Sequence, residues 1–172
     1  MGTASVGSQV NAAPPTEVWA DARSGVRQGD IEVRVTSARV DTVALTNLGD
    51  KTSSKNKLLS ITLSIKNASQ TKKIQYDGWS GADTFIARNV ALLRDNFDNA
   101  YKRVGFGFGT EVVGQISNES IYPGKAVSDV LVFEPPIGTI SFLRLEMPAG
   151  AFGGTGQLRL EIPKEMIEGS TE

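Results

Sequence analysis

From residue 30 onward, apolar side chains recur at every second position. Ile31, Val33 and Val35 alternate with Glu32, Arg34 and Thr36, the rhythm of a strand with one buried face. The phase slips at Ser37 and continues through Ala38 and Val40, which predicts a β-bulge there. The plainest strand is 57–66, with Leu59, Ile61, Leu63 and Ile65 on one face and Ser60, Thr62, Ser64 and Lys66 on the other. Further strands are predicted at 72–76, 90–94, 101–106, 111–116, 127–133, 140–147 and 157–162, the last stopped by Pro163. Helical periodicity is nearly absent, and only 148–152 and 164–168 suit a single turn of helix.

Turn chemistry falls between these runs. Asn67-Ala68-Ser69, Asp95-Asn96-Phe97-Asp98-Asn99, Tyr122-Pro123-Gly124-Lys125 and Glu134-Pro135-Pro136 supply it. Pro123-Gly124 fits a type II turn, with proline fixing one φ and glycine accepting a positive one. About eight or nine short strands with this punctuation predict an all-β, antiparallel β-sandwich. Its expected core is Val33, Val35, Leu59, Ile61, Leu63, Ile65, Leu92, Val130, Val132, Leu143, Leu145, Leu158 and Leu160. Residues 1–17, rich in Ser, Ala and Pro, read as a flexible linker or tail. The sandwich domain is then 18–168, and 169–172 form a short C-terminal tail.

Composition mostly removes options. The 172 residues include no histidine and no cysteine. The usual general base near neutral pH is therefore missing, as are Ser-His and Cys-His nucleophiles. Imidazole and thiolate metal ligands go with them, leaving oxygen-ligand ions such as Ca²⁺ or Mg²⁺. A net charge of −1 gives no strong field for nucleic acid, so no nucleic-acid partner is expected. No run of apolar residues reaches the roughly 18–20 needed to span a bilayer, so no transmembrane segment is expected in this chain.

Four pieces in order resemble a known family. They are the strand 58–66 running into Asn67-Ala68-Ser69, the stretch 92–101 around Asp95-Asn96-Phe97-Asp98-Asn99, the turn 122–125 followed by Val130-Leu131-Val132-Phe133-Glu134-Pro135-Pro136, and Phe142-Leu143-Arg144-Leu145-Glu146-Met147-Pro148. Over residues 30–162 the chain resembles the DUF4352 family of bacterial immunoglobulin-like domains, similar in fold to the secreted antigen MPT63. The resemblance implies an immunoglobulin-like sandwich in an exported or membrane-tethered bacterial protein. It supplies no catalytic residues. The chain departs from the family pattern in its long loop 77–90, and it has no lipid-anchor cysteine.

Two groups of residues carry candidate chemistry. Asp95, Asp98 and Asn99, with Asn96, place four oxygen-bearing side chains within five residues, the donor type calcium requires. The competing reading is an Asx turn in which those side chains bond the backbone. Tyr76, Trp79 and Phe85 lie in a Gly- and Asp-rich segment and suit a stacking face for sugar or peptide, with Asp77 and Asp83 as acceptors. Buried aromatics with satisfied polar tips are the alternative.

Three weaker patterns read as structural. Gly105-Phe106-Gly107-Phe108-Gly109 lacks the following helix a phosphate loop needs, and reads as a kinked strand. Ser54-Lys55-Asn56-Lys57 matches S-x-x-K but falls in a polar run expected to be an exposed loop, not a buried helix. Lys51, Lys55, Lys57, Lys66, Lys72 and Lys73 read as a solvated face that discourages edge pairing.

The expected function is a non-catalytic interaction or structural domain, with a protein or surface polysaccharide as partner. A calcium-stabilised adhesion or assembly domain, or a carboxylate-dependent glycosidase, are the alternatives. The expected compartment is extracytoplasmic, in the periplasm or at the cell surface, with any leader or anchor outside this sequence; a cytoplasmic location is the other reading.

Overall fold

The computed structural model describes residues 16–81 and 89–169. Two sheets lie face to face. The first has the order β12 (Ala126–Phe133), β6 (Leu58–Asn67), β3 (Ile31–Asp41). Two short strands, β2 (Val26–Gln28) and β15 (Ile167–Glu168), share the remaining edge of β3. The second sheet runs β1 (Ala20–Asp21), β14 (Gln157–Pro163), β13 (Phe142–Pro148), β8 (Leu92–Asp95), β9 (Ala100–Tyr101). A three-stranded flap of β10 (Thr110–Val112), β4 (Ala44–Asn47) and β5 (Asp50–Ser53) stands beside them. A separate ribbon joins β7 (Ile74–Tyr76) to β11 (Glu119–Ile121). The pairing is antiparallel except where β1 meets β14 and β15 meets β3. This is an all-β sandwich.

The strand rhythm explains the packing. Leu59, Ile61, Leu63 and Ile65 of β6 face the second sheet and are wholly buried, as are Leu143, Leu145, Leu160 and Ile162 opposite. Each such side chain contributes about 1.5–3 kcal/mol through burial. In β3 the pairing passes from Val35↔Leu63 directly to Ser37↔Thr62, so Thr36 is the extra residue of a bulge. The bulge moves the inward phase from odd positions, Ile31, Val33 and Val35, to even ones, Ala38 and Val40. Pro123-Gly124 makes its turn with Gly124 at φ +70 and Lys125 N–H donating to the Tyr122 carbonyl at 3.0 Å. Single 3₁₀ turns occupy Ala149–Phe152 and Lys164–Met166.

Several expectations need correction. Leu93, not Leu92, enters the core, because the register of β8 sets Leu93 opposite Leu145; Leu92 is 53% exposed. On β12 the inward positions are Val127, Asp129, Leu131 and Phe133. Val130 and Val132 point the other way, into a second apolar cluster with Val43, Leu45 and Val112 beneath the flap. The polar run 50–53 is strand β5, paired to β4 across a turn at Leu48-Gly49. Both sides of β5 face solvent, so no alternation marks it. The stretch 101–106 keeps only the end of β9 and one bridge from Arg103 to Phe133.

Candidate functional site

The aromatic pair of the 76–81 segment turns inward. Tyr76 and Trp79 are both fully buried, their rings meeting edge-on with centroids 4.9 Å apart. Phe152 closes the far side of Trp79 at 6.4 Å. The indole Nε1 donates to the Pro148 carbonyl at 2.9 Å. Gly78 makes the approach feasible: it sits at φ +71, and a Cβ there would collide with the Ile116 carbonyl. The expected stacking platform of Tyr76, Trp79 and Phe85 is therefore corrected for its first two members, whose rings offer no face to a ligand. Phe85 and Asp83 lie outside the described residues.

The phenol of Tyr76 leads to a group that the sequence pattern did not single out. Its hydroxyl donates to Asp129 Oδ2 at 2.5 Å, while Ile116 N–H donates to Oδ1 at 2.8 Å. Asp129 occupies an inward position of β12 opposite Leu63 and has no exposed surface. Burial pushes its carboxyl up to about 6, with the bonds from Tyr76, Ile116 and Val130 acting in the opposite direction. The Tyr76 hydroxyl is raised well above its ordinary value, by burial first and then by the neighbouring carboxylate. A buried acid with a raised pKa is a common mark of a catalytic centre. Here the group is sealed by β6, β7 and the 113–118 loop, and it pins that loop to the core. The only warning in the sequence is a charged residue at an inward position of an otherwise apolar strand.

The 95–99 turn resolves in favour of backbone bonding. Asp95 Oδ1 accepts from the N–H groups of Phe97 and Asn99, at 2.8 and 3.0 Å. Its Oδ2 accepts from Asn99 Nδ2 at 2.9 Å and from the Tyr101 hydroxyl at 2.7 Å. Burial pushes the Asp95 carboxyl up, but these four donors outweigh it and hold the group below its ordinary value. Asp98, at φ +66, pairs with Arg94 at 2.9 Å, and Asn96 Oδ1 accepts from Ser141 N–H. The oxygens that the expected calcium set of Asp95, Asp98 and Asn99 would offer are thus engaged within the turn, Asp95 by four donors and Asp98 by Arg94. Among the described residues no three acidic side chains are grouped to hold a metal ion.

Other patterns acquire structural roles. Asn67 is wholly buried; its amide donates to the carbonyls of Lys72 and Ile121 and accepts from Ser69 N–H. Asn67-Ala68-Ser69 is therefore a corner lock, with its asparagine closed to glycosylation in the folded chain. Ser54 is buried rather than exposed, its hydroxyl accepting from Val43 N–H and donating to the Asn56 carbonyl. The glycine-rich stretch 105–109 ends beside the turn of the flap, where Leu48 N–H donates to the Gly109 carbonyl at 2.9 Å. This end carries the most exposed apolar side chains described: Phe108 is entirely in solvent and Leu48 is 83% exposed. Leu48 also holds φ +48, a left-handed conformation unusual for a branched side chain.

No family model and no curated protein matches the chain. The resemblance to DUF4352 thus finds no family model behind it, and the likeness supported by solved structures is one of fold. The yjhA protein from Bacillus subtilis superposes with a TM-score of 0.53 at 16% identity, over 83% of this chain and 98% of that one. A Bacillus subtilis protein described as a "putative lipoprotein", ycdA, gives 0.52 at 14% identity over 85% of this chain. The chain spans 41% of that protein's length. No helix described is long and apolar enough to cross a membrane.

Proposed function

We propose that this chain is a non-catalytic interaction domain of the DUF4352 kind, belonging to an exported or membrane-tethered bacterial protein and docking a protein partner through the flap end that carries Leu48 and Phe108. The observation that carries this reading is the presence of a fully exposed phenylalanine and an exposed leucine on two adjoining turns of the flap end. Water gains nothing from such side chains, and exposed apolar groups placed together mark contact surfaces. The neighbour of similar fold described as a "putative lipoprotein" supports the extracytoplasmic placement. Three described acids give the glycosidase alternative no support: Asp129 is sealed, and Glu17 and Glu146 are ion-paired to Arg159.

Site-directed photocrosslinking in the producing cell tests the reading. A crosslinker at position 108 should yield one discrete protein adduct, which a Leu48→Ser substitution in the same chain abolishes. A crosslinker at exposed Tyr122 should yield none. No adduct from position 108, or the same adduct from both positions, overturns the proposal.

A further inference from the structure

The outer face of the first sheet carries an uncompensated set of cations. A groove of about 480 Å³ runs across β2, β3 and β6, walled by the turn at Ser24-Gly25. Gly25 lets that turn lie close: at φ +82, a Cβ there would stand 2.5 Å from the Val33 carbonyl oxygen. The strand register fixes what the groove displays. Arg27 of β2 lies opposite Glu32 of β3, and Glu32 lies opposite Lys66 of β6. In the next row, Arg34 lies opposite Ser64. Arg34 and Lys66 are therefore diagonal neighbours, about 7–8 Å apart along the sheet.

Charge does not balance in this groove. Arg27 takes the carboxylate of Glu32 at 3.3 Å, and the ion pairs of the described residues leave Arg34 and Lys66 without one. The groove on the opposite sheet is the contrast. There Arg94 and Arg144 face Glu17, Asp95, Asp98 and Glu146, and both arginines are paired. Nor does Lys66 serve to guard an edge, since β6 lies between β12 and β3.

We propose that the groove at Arg27, Arg34 and Lys66 binds a linear polymer of polyol or sugar phosphates. Three cations spread over three strands, spaced about 4.8 Å apart, outreach a single tetrahedral anion and suit consecutive phosphates on a chain. Ser24 and Ser64 supply hydroxyls for a hydroxylated backbone. Among the described residues no aromatic side chain lines the groove to give the stacking platform that single-stranded nucleic acid uses.

Titration of the full chain with poly(glycerol phosphate), inorganic phosphate and oligo-dT, at low and high salt, tests the proposal. Poly(glycerol phosphate) should bind at low salt and weaken as salt rises. R34Q/K66Q should weaken that binding about tenfold or more, whereas E32Q should strengthen it several-fold by releasing Arg27. K51Q, which removes one charge from the flap, should bind as the wild type does. All these side chains face solvent, so unchanged circular dichroism and melting should accompany the losses. Equal binding by R34Q/K66Q overturns the proposal, as does oligo-dT binding as tightly as the polymer. Inorganic phosphate displacing the polymer at equal phosphate concentration would also overturn it, because a single-anion site would then account for the binding.

Discussion

Two aspartates, each bonded by a tyrosine hydroxyl, respond to folding in opposite ways. Asp95 sits in a turn at the rim of the second sheet, where two backbone N–H groups, an amide and Tyr101 converge on it. Asp129 lies between the sheets with fewer donors and no exposed surface. Four donors hold the Asp95 carboxyl below its ordinary value of 3.8 against the effect of burial. Burial wins at Asp129 and lifts it to about 6. A tyrosine partner therefore does not set the charge state of a carboxylate. The balance between lost hydration and the number of aimed donors does.

The largest test of this contrast is removal of the inner carboxylate. Asp129→Ala leaves the Tyr76 hydroxyl and the Ile116 N–H without their acceptor in the core, and should cost about 4 kcal/mol in urea unfolding. A loss below about 1 kcal/mol would mean that water or rearrangement satisfies both donors.

Next comes the pH dependence. Because the folded pKa of Asp129 is raised, the stability linked to its proton is fully present below pH 3.8 and is lost as pH rises through about 6. Relative to Asp129→Asn, the wild type should therefore lose on the order of 3 kcal/mol between pH 4 and pH 7. Asp95 has the opposite sign. Its lowered pKa contributes stability that is present above 3.8 and is lost as pH falls through the folded value. Parallel unfolding series for Asp129→Asn and Asp95→Asn should both part from the wild type as pH rises, but with opposite sign: Asp129→Asn gains on the wild type up to about pH 6, and Asp95→Asn loses to it as Asp95 ionises at low pH. Shifts of the same sign would break the comparison.

A smaller effect is expected from Asp95→Ala, about 2 kcal/mol, because its released donors lie near the surface where water replaces the carboxylate. Calcium or EDTA should leave the wild-type melting temperature unchanged, since the Asp95 oxygens are already engaged; a rise with calcium would show that an ion displaces those donors. The smallest effects belong to the flap end. Leu48→Gly should raise stability by about 0.5 kcal/mol by relieving the left-handed φ, and Phe108→Ser should leave it unchanged. A loss from either would show that these side chains support the fold.

The strong strands were legible wherever one face meets core and the other water. Leu59 to Ile65, Leu143 to Met147 and Leu158 to Ile162 all alternate, and the phase slip at Ser37 marked the bulge. Strand β5 was not legible because both its sides face solvent, and β1 and β2 were not because two or three residues are too few to show an alternation. Of the site residues, the turn at Asp95–Asn99 was visible as Asx chemistry, but whether its oxygens face an ion or the backbone was not. Tyr76 and Trp79 stood out by type, whereas their direction depends on Asp129, Pro148 and Phe152, all remote in the chain.

The sequence by itself determined the all-β class, the sheet-forming rhythm, the bulge and the absence of imidazole and thiol chemistry, because each depends on residue type and near-neighbour spacing. Only the tertiary structure decided which of Leu92 and Leu93 turns inward, that Asp129 is buried with a raised pKa, and that Arg34 and Lys66 share an unneutralised groove. Those properties arise from strand register, which brings distant residues to within a few ångströms and sets how much water each one keeps.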